Sequence, residues 1–489
     1  MKKRTFLYVA LILICAAWAP ADEILWPGDN GPWPPESDGA PDSTWPDEAG
    51  EASESPWPGE SENSTDPGTL TPSSAGSWDT GTFSLFGYIS WMSGLEFPDW
   101  NPADTLTGSM MHLRLKGDWS PEASIDFHLE ADYRAAFGRL NPQAQANDLL
   151  LQLGAATESE LLNAQSAAGE DFHQEFGIDH AWGLVNIGPA DLKFGLCPIA
   201  WGTGYAFNPT SRAYSAASVD LISDSETPGT AAVIPSLQIS PRWSLHGYLA
   251  FQDWLRPAQT PQMESDPANL PFGIKLLGYA GSWDFSFGII KEVSLYDADP
   301  GDPVEFTALR RYYAAWDFIG QIGDFGLYGE GLLQAPADGN SIDWKAGIEL
   351  PEQLQAVIGI EYNEFENTTL TLEYFLHGPG ATDEDDYAVD LLLAGQQDML
   401  ARDYLTAAAT RTFIDYLDVT AAAIVNLNDL SFILVPEISY QLYDNFQLRA
   451  SALIPAGSTG SELSGTLDSG SDTITVFQPT LLLECRLSF

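Results

Sequence analysis

Basic residues are scarce in this chain. Its 489 residues include 20 Lys and Arg against 69 Asp and Glu, which gives a formal net charge of −49 at pH 7. Contacts to phosphate groups require Lys and Arg, so this balance excludes nucleic acid as a partner. A strongly acidic exterior is compatible with a saline habitat, with binding of divalent cations, or with a pore that attracts cations. Composition leaves these three alternatives open.

Cysteine is scarce as well. The chain has three cysteines, and Cys15 lies in the apolar run near the N-terminus. Without that run only Cys197 and Cys485 remain, far apart in sequence and each in a strand-like segment. The count excludes a disulfide framework. We interpret both as isolated small apolar residues.

Long hydrophobic runs are absent apart from residues 6–17. A membrane-spanning helix needs about 20 apolar residues, so this run is too short. It follows the basic residues 1–4 and precedes Ala19-Pro20-Ala21, which has the small-x-small pattern of a cleavage site. Residues 1–21 are therefore predicted to be a signal peptide, cut after Ala21. The exported chain is then either soluble or crosses a membrane with strands.

Residues 22–79 differ from the rest of the chain. They contain ten prolines, many Asp, Glu, Ser and Gly residues, and no Lys or Arg. Such a segment buries too little apolar surface to fold and is predicted to be a disordered acidic spacer. It repeats a Trp-Pro pair at Trp26, Trp33, Trp45 and Trp57. Tryptophans on an extended proline-rich backbone also fit a strip that binds a partner in the cell envelope, and both interpretations stay open.

From Gly81 onward apolar and polar residues alternate. In residues 125–134, Ile, Phe, Leu, Ala and Tyr alternate with Asp, His, Glu, Asp and Arg. This period of two indicates β-strands. Charge at every second position favours strands with water on one side and lipid on the other.

Loop lengths support a membrane barrel independently. Tight turns such as 120–122, 188–190, 240–242 and 281–282 alternate with long connections such as 137–174, 198–229 and 253–270. Outer-membrane barrels alternate short periplasmic turns with long external loops. We expect an all-β fold, a transmembrane antiparallel up-and-down β-barrel over residues 80–489. The expected number of strands is about 18, within a range of 16–20, because residues 306–377 read as five strands where parity requires four or six. Residues 148–168 and 390–402 are candidates for helices in loops.

The end of the chain resembles that of a known class of protein. Phe489, Leu487, Cys485, Leu483 and Leu481 share one parity of a strand. A terminal aromatic strand behind an export signal resembles the assembly signal of bacterial outer-membrane β-barrels. The resemblance implies residence in the outer membrane, contact with its lipid, and recognition of the last strand, with Phe489, by the barrel-assembly machinery.

A second resemblance lies in the segment after residue 195. Trp201-Gly202-Thr203-Gly204 is followed by Asn208-Pro209. This resembles a strand-to-loop motif of porin-like outer-membrane families, although Leu196 and Cys197 stand where those families often have a basic or amide residue. We expect Trp201, Gly202, Gly204, Asn208 and Pro209 to form a bend that sends a loop across the barrel mouth or lumen. A direct ligand contact by Trp201 or Tyr205 is the alternative.

Charged residues of the polar parity are candidates to line a pore. The adjacent pair Arg310 and Arg311 cannot both face a lumen, and Arg310 is taken as the candidate. Arginines facing carboxylates across the lumen would set a transverse field. The candidates are Arg114, Asp126, His128, Glu130, Asp132, Arg134 and Arg310.

Signals for catalysis and for metal binding are weak. The chain has neither a Gly-x-Ser-x-Gly elbow nor a His-Glu-x-x-His motif, and its six histidines are scattered. We therefore expect no enzyme, no cofactor and no metal site.

The sequence as a whole predicts a porin-like channel for passive diffusion of small polar solutes, with a preference for cations. A non-conducting barrel, either an adhesin or a structural protein of the outer membrane, is the main alternative. A secreted β-protein that binds carbohydrate through its aromatic residues is a third class, because aromatics make up 12% of the chain. The sequence leaves the oligomeric state open.

Overall fold

The computed structural model describes residues 81–141, 172–213, 227–251, 267–297, 306–365, 367–393, 397, 399–468, 473–476 and 478–489. The predicted signal peptide and the Trp-Pro spacer lie outside the described residues, as does the helix candidate at 148–168. These three stay predictions.

Eighteen antiparallel strands form one sheet. Each pairs with its neighbours in chain order, so the topology is up-and-down. Their bounds are β1 Thr82–Glu96, β2 Leu106–Glu122, β3 Ile125–Gly138, β4 Phe172–Ile187, β5 Ala190–Pro198, β6 Gly229–Ser240, β7 Trp243–Ala250, β8 Phe272–Ala280, β9 Trp283–Asp297, β10 Phe306–Ile322, β11 Phe325–Gln334, β12 Leu354–Phe365, β13 Thr368–His377, β14 Asp403–Ile414, β15 Leu417–Asn426, β16 Phe432–Tyr443, β17 Phe446–Ala456 and β18 Thr480–Ser488.

The sheet closes on itself through its first and last strands. β1 pairs with β2 on one side and with β18 on the other, from Tyr88 opposite Ser488 to Glu96 opposite Thr480. Phe489 extends this seam, because its backbone exchanges two hydrogen bonds with that of Gly87, at 2.8 and 2.9 Å. Closure leaves no strand edge, which is the condition for a sheet to cross lipid. The expected 18-stranded barrel is confirmed.

Tight and long connections alternate around the barrel. All eight connections of one rim have two residues, as at 123–124, 188–189 and 281–282, and the other rim carries the long ones. Residues 306–377 form four barrel strands, not the five expected. The surplus strand corresponds to the connection 335–353, where only a short hairpin forms between Ala337–Asp338 and Ser341–Ile342.

The two faces of the strands differ in chemistry. On β13, Leu372 is 46% exposed while the next residue, Glu373, is 0% exposed. The exposed parity is apolar on other strands also, with Phe287 and Ile289 on β9 and Ile358 on β12 pointing outward. Polar side chains of the other parity line the interior. This is the division expected of a barrel in lipid.

Helices are few and short within the described residues. Helix α1, Val389–Leu393, has five residues and covers only part of the candidate at 390–402. Four single 3₁₀ turns lie at Pro98–Trp100, Pro102–Asp104, Pro267–Asn269 and Glu384–Asp386. No helix of the described ranges is long and apolar enough to cross a membrane.

The seam gives a test of the fold. Deletion of residues 480–489 takes a pairing partner from both β1 and β17, and the two unpaired edges should prevent a closed barrel. We expect the deleted chain to lose the heat-dependent shift in gel mobility that closed barrels show in detergent. Deletion of residues 22–79 is the control and should keep the shift. A full shift after removal of β18 would contradict closure through this strand.

Candidate functional site in the barrel interior

The segment of residues 199–213, here called the inner segment, leaves the end of β5 and runs along the inside of the barrel. Its first large side chain, Trp201, is 7% exposed. The indole meets the ring of Tyr248 on β7 edge to face, at 4.8 Å between centroids, and Lys275 Nζ on β8 lies 5.0 Å from its centre. Trp201 therefore fixes the start of the inner segment against β7 and β8.

Glu373 on β13 anchors the middle of the inner segment. Its carboxylate accepts backbone N–H bonds from Tyr205 at 2.5 Å and from Ala206 and Phe207 at 3.1 Å each. Tyr328 on β11 donates a fourth bond at 3.1 Å. Four donors around one fully buried carboxylate compensate for its removal from water.

Glu330 on β11 holds the turn of the motif. Thr210 Oγ1 donates a hydrogen bond to the Glu330 carboxylate. Gly202 packs so closely that a Cβ at this position would lie 2.2 Å from Glu330 Oε2, and its φ of +108° is strained for other residues. A Cβ on Gly204 would lie 1.9 Å from the carbonyl oxygen of Phe207. Both glycines are therefore required by close approach.

The last part of the inner segment reaches three further strands. Phe207 stacks on Phe375 of β13 at 4.5 Å and lies 5.7 Å from the ring of Tyr404 on β14. Arg212 Nη2 donates to Gln355 Oε1 on β12 at 2.7 Å, and its guanidinium lies 6.0 Å from the ring of Tyr313 on β10. The inner segment thus lines the interior wall from β7 to β14.

A row of charged side chains lines a different part of the wall. Arg449 on β17 lies 3.5 Å from Glu437 on β16 and 3.4 Å from Glu484 on β18. Glu484 also lies 3.4 Å from Arg486, whose guanidinium stacks 4.6 Å from the ring of Tyr88 on β1. This row therefore crosses the seam of the barrel.

The row continues across β2, β3 and β4. The Tyr88 hydroxyl lies 3.3 Å from His112 Nδ1, and His112 Nε2 lies 3.0 Å from Asp132 Oδ1. Arg114 donates to both oxygens of Asp132, at 2.7 and 2.6 Å, and to Asp179 at 2.8 Å. Glu130 completes the row. We call these residues the charged belt: Glu437, Arg449, Glu484, Arg486, Tyr88, His112, Arg114, Lys116, Glu130, Asp132 and Asp179.

The charged belt and the inner segment face each other. The belt is centred on β1 and the wall covered by the inner segment is centred between β10 and β11, about half of the 18-stranded circumference away. They also lie at one level, because Glu130, Glu330 and Glu373 are each five residues from the tight-turn end of their strands. At this level the lumen is therefore bounded by charge on one side and by a folded segment on the other.

The structure gathers most of the predicted pore-lining residues in one region. Arg114, Glu130 and Asp132 form the part of the charged belt on β2 and β3, with His128 bonded to Glu130 at 2.7 Å. Arg134 lies at its margin, 3.6 Å from Asp132 and 49% exposed. Asp126 is nearer the tight turn, where it accepts a hydrogen bond from Ser120 Oγ at 2.6 Å.

Arg310 is the exception and corrects the expectation. It pairs with Val293 and shares the outward parity of Trp316, while its side chain bonds to Asn269 at 2.8 Å. The interior parity of β10 belongs to Arg311, which is 3.9 Å from Glu292 on β9. The two faces could not be assigned before the register of β9 and β10 was known.

Four important interior residues escaped the sequence analysis. Glu330 and Glu373 lie on strands whose alternation gives no sign that a distant segment will cover them. Asp179 and His180 are consecutive, so simple alternation places only one of them inside. A bulge opposite Glu130 and Ala131 brings both inside.

A separate cluster of buried polar residues, here called the rim cluster, connects loops at the rim that carries the long connections. Glu462 accepts hydrogen bonds from Leu400 N–H at 2.7 Å, Tyr404 Oη at 2.6 Å and Asn426 Nδ2 at 2.9 Å. Asp429 accepts from the backbone N–H of Glu462 at 3.0 Å. Burial is the largest influence on the Glu462 carboxyl and raises its pKa to about 7, although the donors around it favour ionisation.

Loss of the Glu373 anchor should release the inner segment. Glu373→Ala removes an acceptor of three backbone bonds, and each bond to a charged group is worth about 1.5–3 kcal/mol. We expect faster chymotryptic cleavage after Tyr205 and Phe207 in the folded protein. Glu361→Gln on the neighbouring strand β12 is the matched control and should leave cleavage unchanged. Equal cleavage of the two variants would contradict the anchoring role.

The rim cluster should loosen as pH rises. A raised folded-state pKa means that the folded protein holds the Glu462 proton more tightly than the unfolded chain does. This contribution to stability is fully present below about pH 4.5 and is lost as pH rises through about 7. We expect amide exchange at Leu400, corrected for its intrinsic pH dependence, to be faster at pH 8 than at pH 5. Glu462→Gln should remove the difference and Asp415→Asn, at the opposite rim, should keep it.

Comparisons with known proteins give low similarity. No protein-family model and no curated protein sequence matches the chain. Among solved structures it is similar to a structure described as "Asymmetric conductivity of engineered proteins", with 12% identity and a TM-score of 0.38, over 83% of this chain and 100% of that one. It is similar over the same shares to a triple mutant of the Rhodopseudomonas blastica porin, with 12% identity and a TM-score of 0.37. The assignment of the barrel rests on the strand pairing of this chain.

Proposed function

We propose that the protein is an outer-membrane channel for passive diffusion of small polar solutes, with a preference for cations. The observation that carries the proposal is the inner segment facing the charged belt at one level of a closed barrel. A lumen bounded in this way selects solutes by size and charge rather than by a specific binding pocket.

The outer surface supports residence in a membrane. Its exposed parity is apolar from strand to strand, and the backbone is paired around the whole circumference. The first residue of β1, Thr82, and the last residue of the chain, Phe489, both lie at the rim that carries the tight turns. We assign this rim to the periplasm, where the Trp-Pro spacer would meet an envelope partner and the last strand would be recognised by the assembly machinery.

Charges at the level of the belt and the inner segment would guide permeating ions. The charged belt contains four fixed cations, Arg114, Lys116, Arg449 and Arg486, and five carboxylates. Across the lumen Glu330 and Glu373 add acidic groups, and each is buried with its donors. The belt supplies the field on the opposite wall, and its small excess of carboxylates gives the cation preference.

One observation favours the alternative of a non-conducting surface barrel. The inner segment brings apolar side chains into the lumen, and two buried clusters form around Trp201 and Phe207. If these clusters block the lumen, the long connections would serve adhesion or surface structure instead.

Conductance separates the two functions. The refolded chain without residues 1–21 is inserted into planar bilayers under a salt gradient. We expect stable current steps and a reversal potential of the cation-selective sign. Insertion without current would favour the non-conducting barrel, and failure to insert would contradict membrane residence.

The charged belt provides the matched variant for selectivity. Arg114→Gln leaves Glu130, Asp132 and Asp179 without their shared cation. One charge is worth about 1 kcal/mol to a monovalent ion 4 Å away in water, or about fivefold in local concentration. Cation selectivity should rise by up to that factor. Arg134→Gln, at the exposed margin, should change it less, and equal effects would contradict control by the belt.

A further inference from the structure

His128, Glu130 and His180 form a compact cluster at the β4 end of the charged belt. One ligand atom from each lies within 4.8 Å of the others. Glu130 Oε1 is 2.7 Å from His128 Nε2 and 3.3 Å from His180 Nδ1. Glu130 and His180 are 3% and 4% exposed. Two imidazoles and a carboxylate are the donor set that Zn²⁺ and similar divalent metals take.

The fold builds this cluster with specific local features. The β4 bulge brings His180 directly opposite Glu130 and puts the preceding Asp179 inside as well. The ring of His128 stacks on that of Trp182 at 5.0 Å between centroids, with 20° between the planes. Both histidine rings are therefore held in place before any ion binds.

The second nitrogen of each histidine has an acceptor. His128 Nδ1 lies 2.6 Å from Asp118 Oδ1, and His180 Nε2 lies 2.9 Å from the carbonyl oxygen of Thr227. A carbonyl oxygen only accepts, so His180 Nε2 carries hydrogen. Metal-binding histidines usually donate their other N–H to a carboxylate or a backbone carbonyl in this way.

The outer hydrogen bonds of the two histidines leave their inner nitrogens, which face the Glu130 carboxylate, in need of positive charge. With these outer bonds made, His128 Nε2 and His180 Nδ1 would present lone pairs toward a carboxylate oxygen. Lone pairs facing a carboxylate repel each other, so each nitrogen needs either a second proton or a shared cation. Glu130 Oε2 is buried and contacts the Arg114 guanidinium, whose Nη1 lies 3.4 Å away.

We propose that His128, Glu130 and His180 bind a divalent transition metal of the Zn²⁺ class. The ion replaces two protons, one from His128 Nε2 and one from His180 Nδ1, and forms bonds to these nitrogens and to Glu130. Two single charges leave as one double charge arrives, so the net charge of the cluster is unchanged. Ligands about 2.0–2.2 Å from a metal lie roughly 3–3.6 Å apart, so small side-chain movements complete the site.

Cations on β2 compete for Glu130. Lys116 Nζ lies 3.2 Å from Glu130 Oε1, and Arg114 Nη1 lies 3.4 Å from Oε2. Asp118 and Asp179 are the nearby carboxylates that offset them. A bound metal ion displaces protons from the histidines, so its affinity should increase from pH 6 to pH 8. Because the ion also faces these cations, the Lys116→Gln variant should bind it more tightly than the wild type does.

The test uses the refolded chain without residues 1–21 in detergent, with Zn²⁺ alone as the probe. Bound zinc is measured after equilibrium dialysis, and Co²⁺ is added separately to record its visible absorption. We expect one Zn²⁺ per chain, at least about tenfold weaker binding in His128→Gln and in His180→Gln, and about 10–100-fold weaker binding in Asp118→Asn. Heat-dependent gel mobility verifies that each variant folds.

His173→Gln is the matched control, since this residue lies on the same strand β4 but outside the cluster. It should bind Zn²⁺ as the wild type does. The proposal is overturned if the wild type binds no stoichiometric zinc, or if His173→Gln weakens binding as much as His180→Gln. Tighter binding by Lys116→Gln supports the site even if a histidine variant fails to fold. The result is independent of whether the barrel conducts.

Discussion

Closure of the backbone hydrogen-bond ladder is the constraint on which the rest of the structure depends. Every strand of a sheet in lipid needs a partner on both sides, and β1 obtains its second partner only from the last residues of the chain. Once the cylinder is closed, the strand period of two assigns each side chain to the outer surface or to the lumen. The polar parity of eighteen strands then shares one interior, where charges far apart in sequence meet.

Burying these charged side chains would cost free energy if they had no hydrogen-bond or ion-pair partners inside the barrel. Carboxylates such as Glu373 are fully buried, and each must recover the hydrogen bonds that water would supply. The inner segment supplies them to Glu373 as backbone N–H groups, and Arg114 supplies them to Asp132 as a fork of two bonds. The need of buried carboxylates for hydrogen-bond donors therefore shapes the lumen. It holds the inner segment against one wall and a row of ion pairs along the other.

Sequence reasoning reached the strands, the alternation of turns and the 18-stranded closure, because these follow from local periodicity and turn residues. It failed where register matters. Arg310 and Arg311 are adjacent, and only their pairing with Val293 and Glu292 shows which one is inside. His180 could not be assigned to the interior from sequence because a bulge in β4 breaks the alternation of inward and outward residues. The backbone N–H partners of Glu373 lie more than 160 residues away, and no local pattern encodes such contacts.

Overall charge is a poor guide to the field inside the barrel. Residues 22–79, which precede β1 in the sequence, hold fourteen of the 69 carboxylates. The charged belt itself has four cations against five carboxylates, so this row is nearly balanced where composition suggests a strong excess. In a balanced row each charge compensates specific neighbours. In the proposed channel, selectivity would therefore depend on single pairings, because the loss of one cation changes the local field more than many loop carboxylates do.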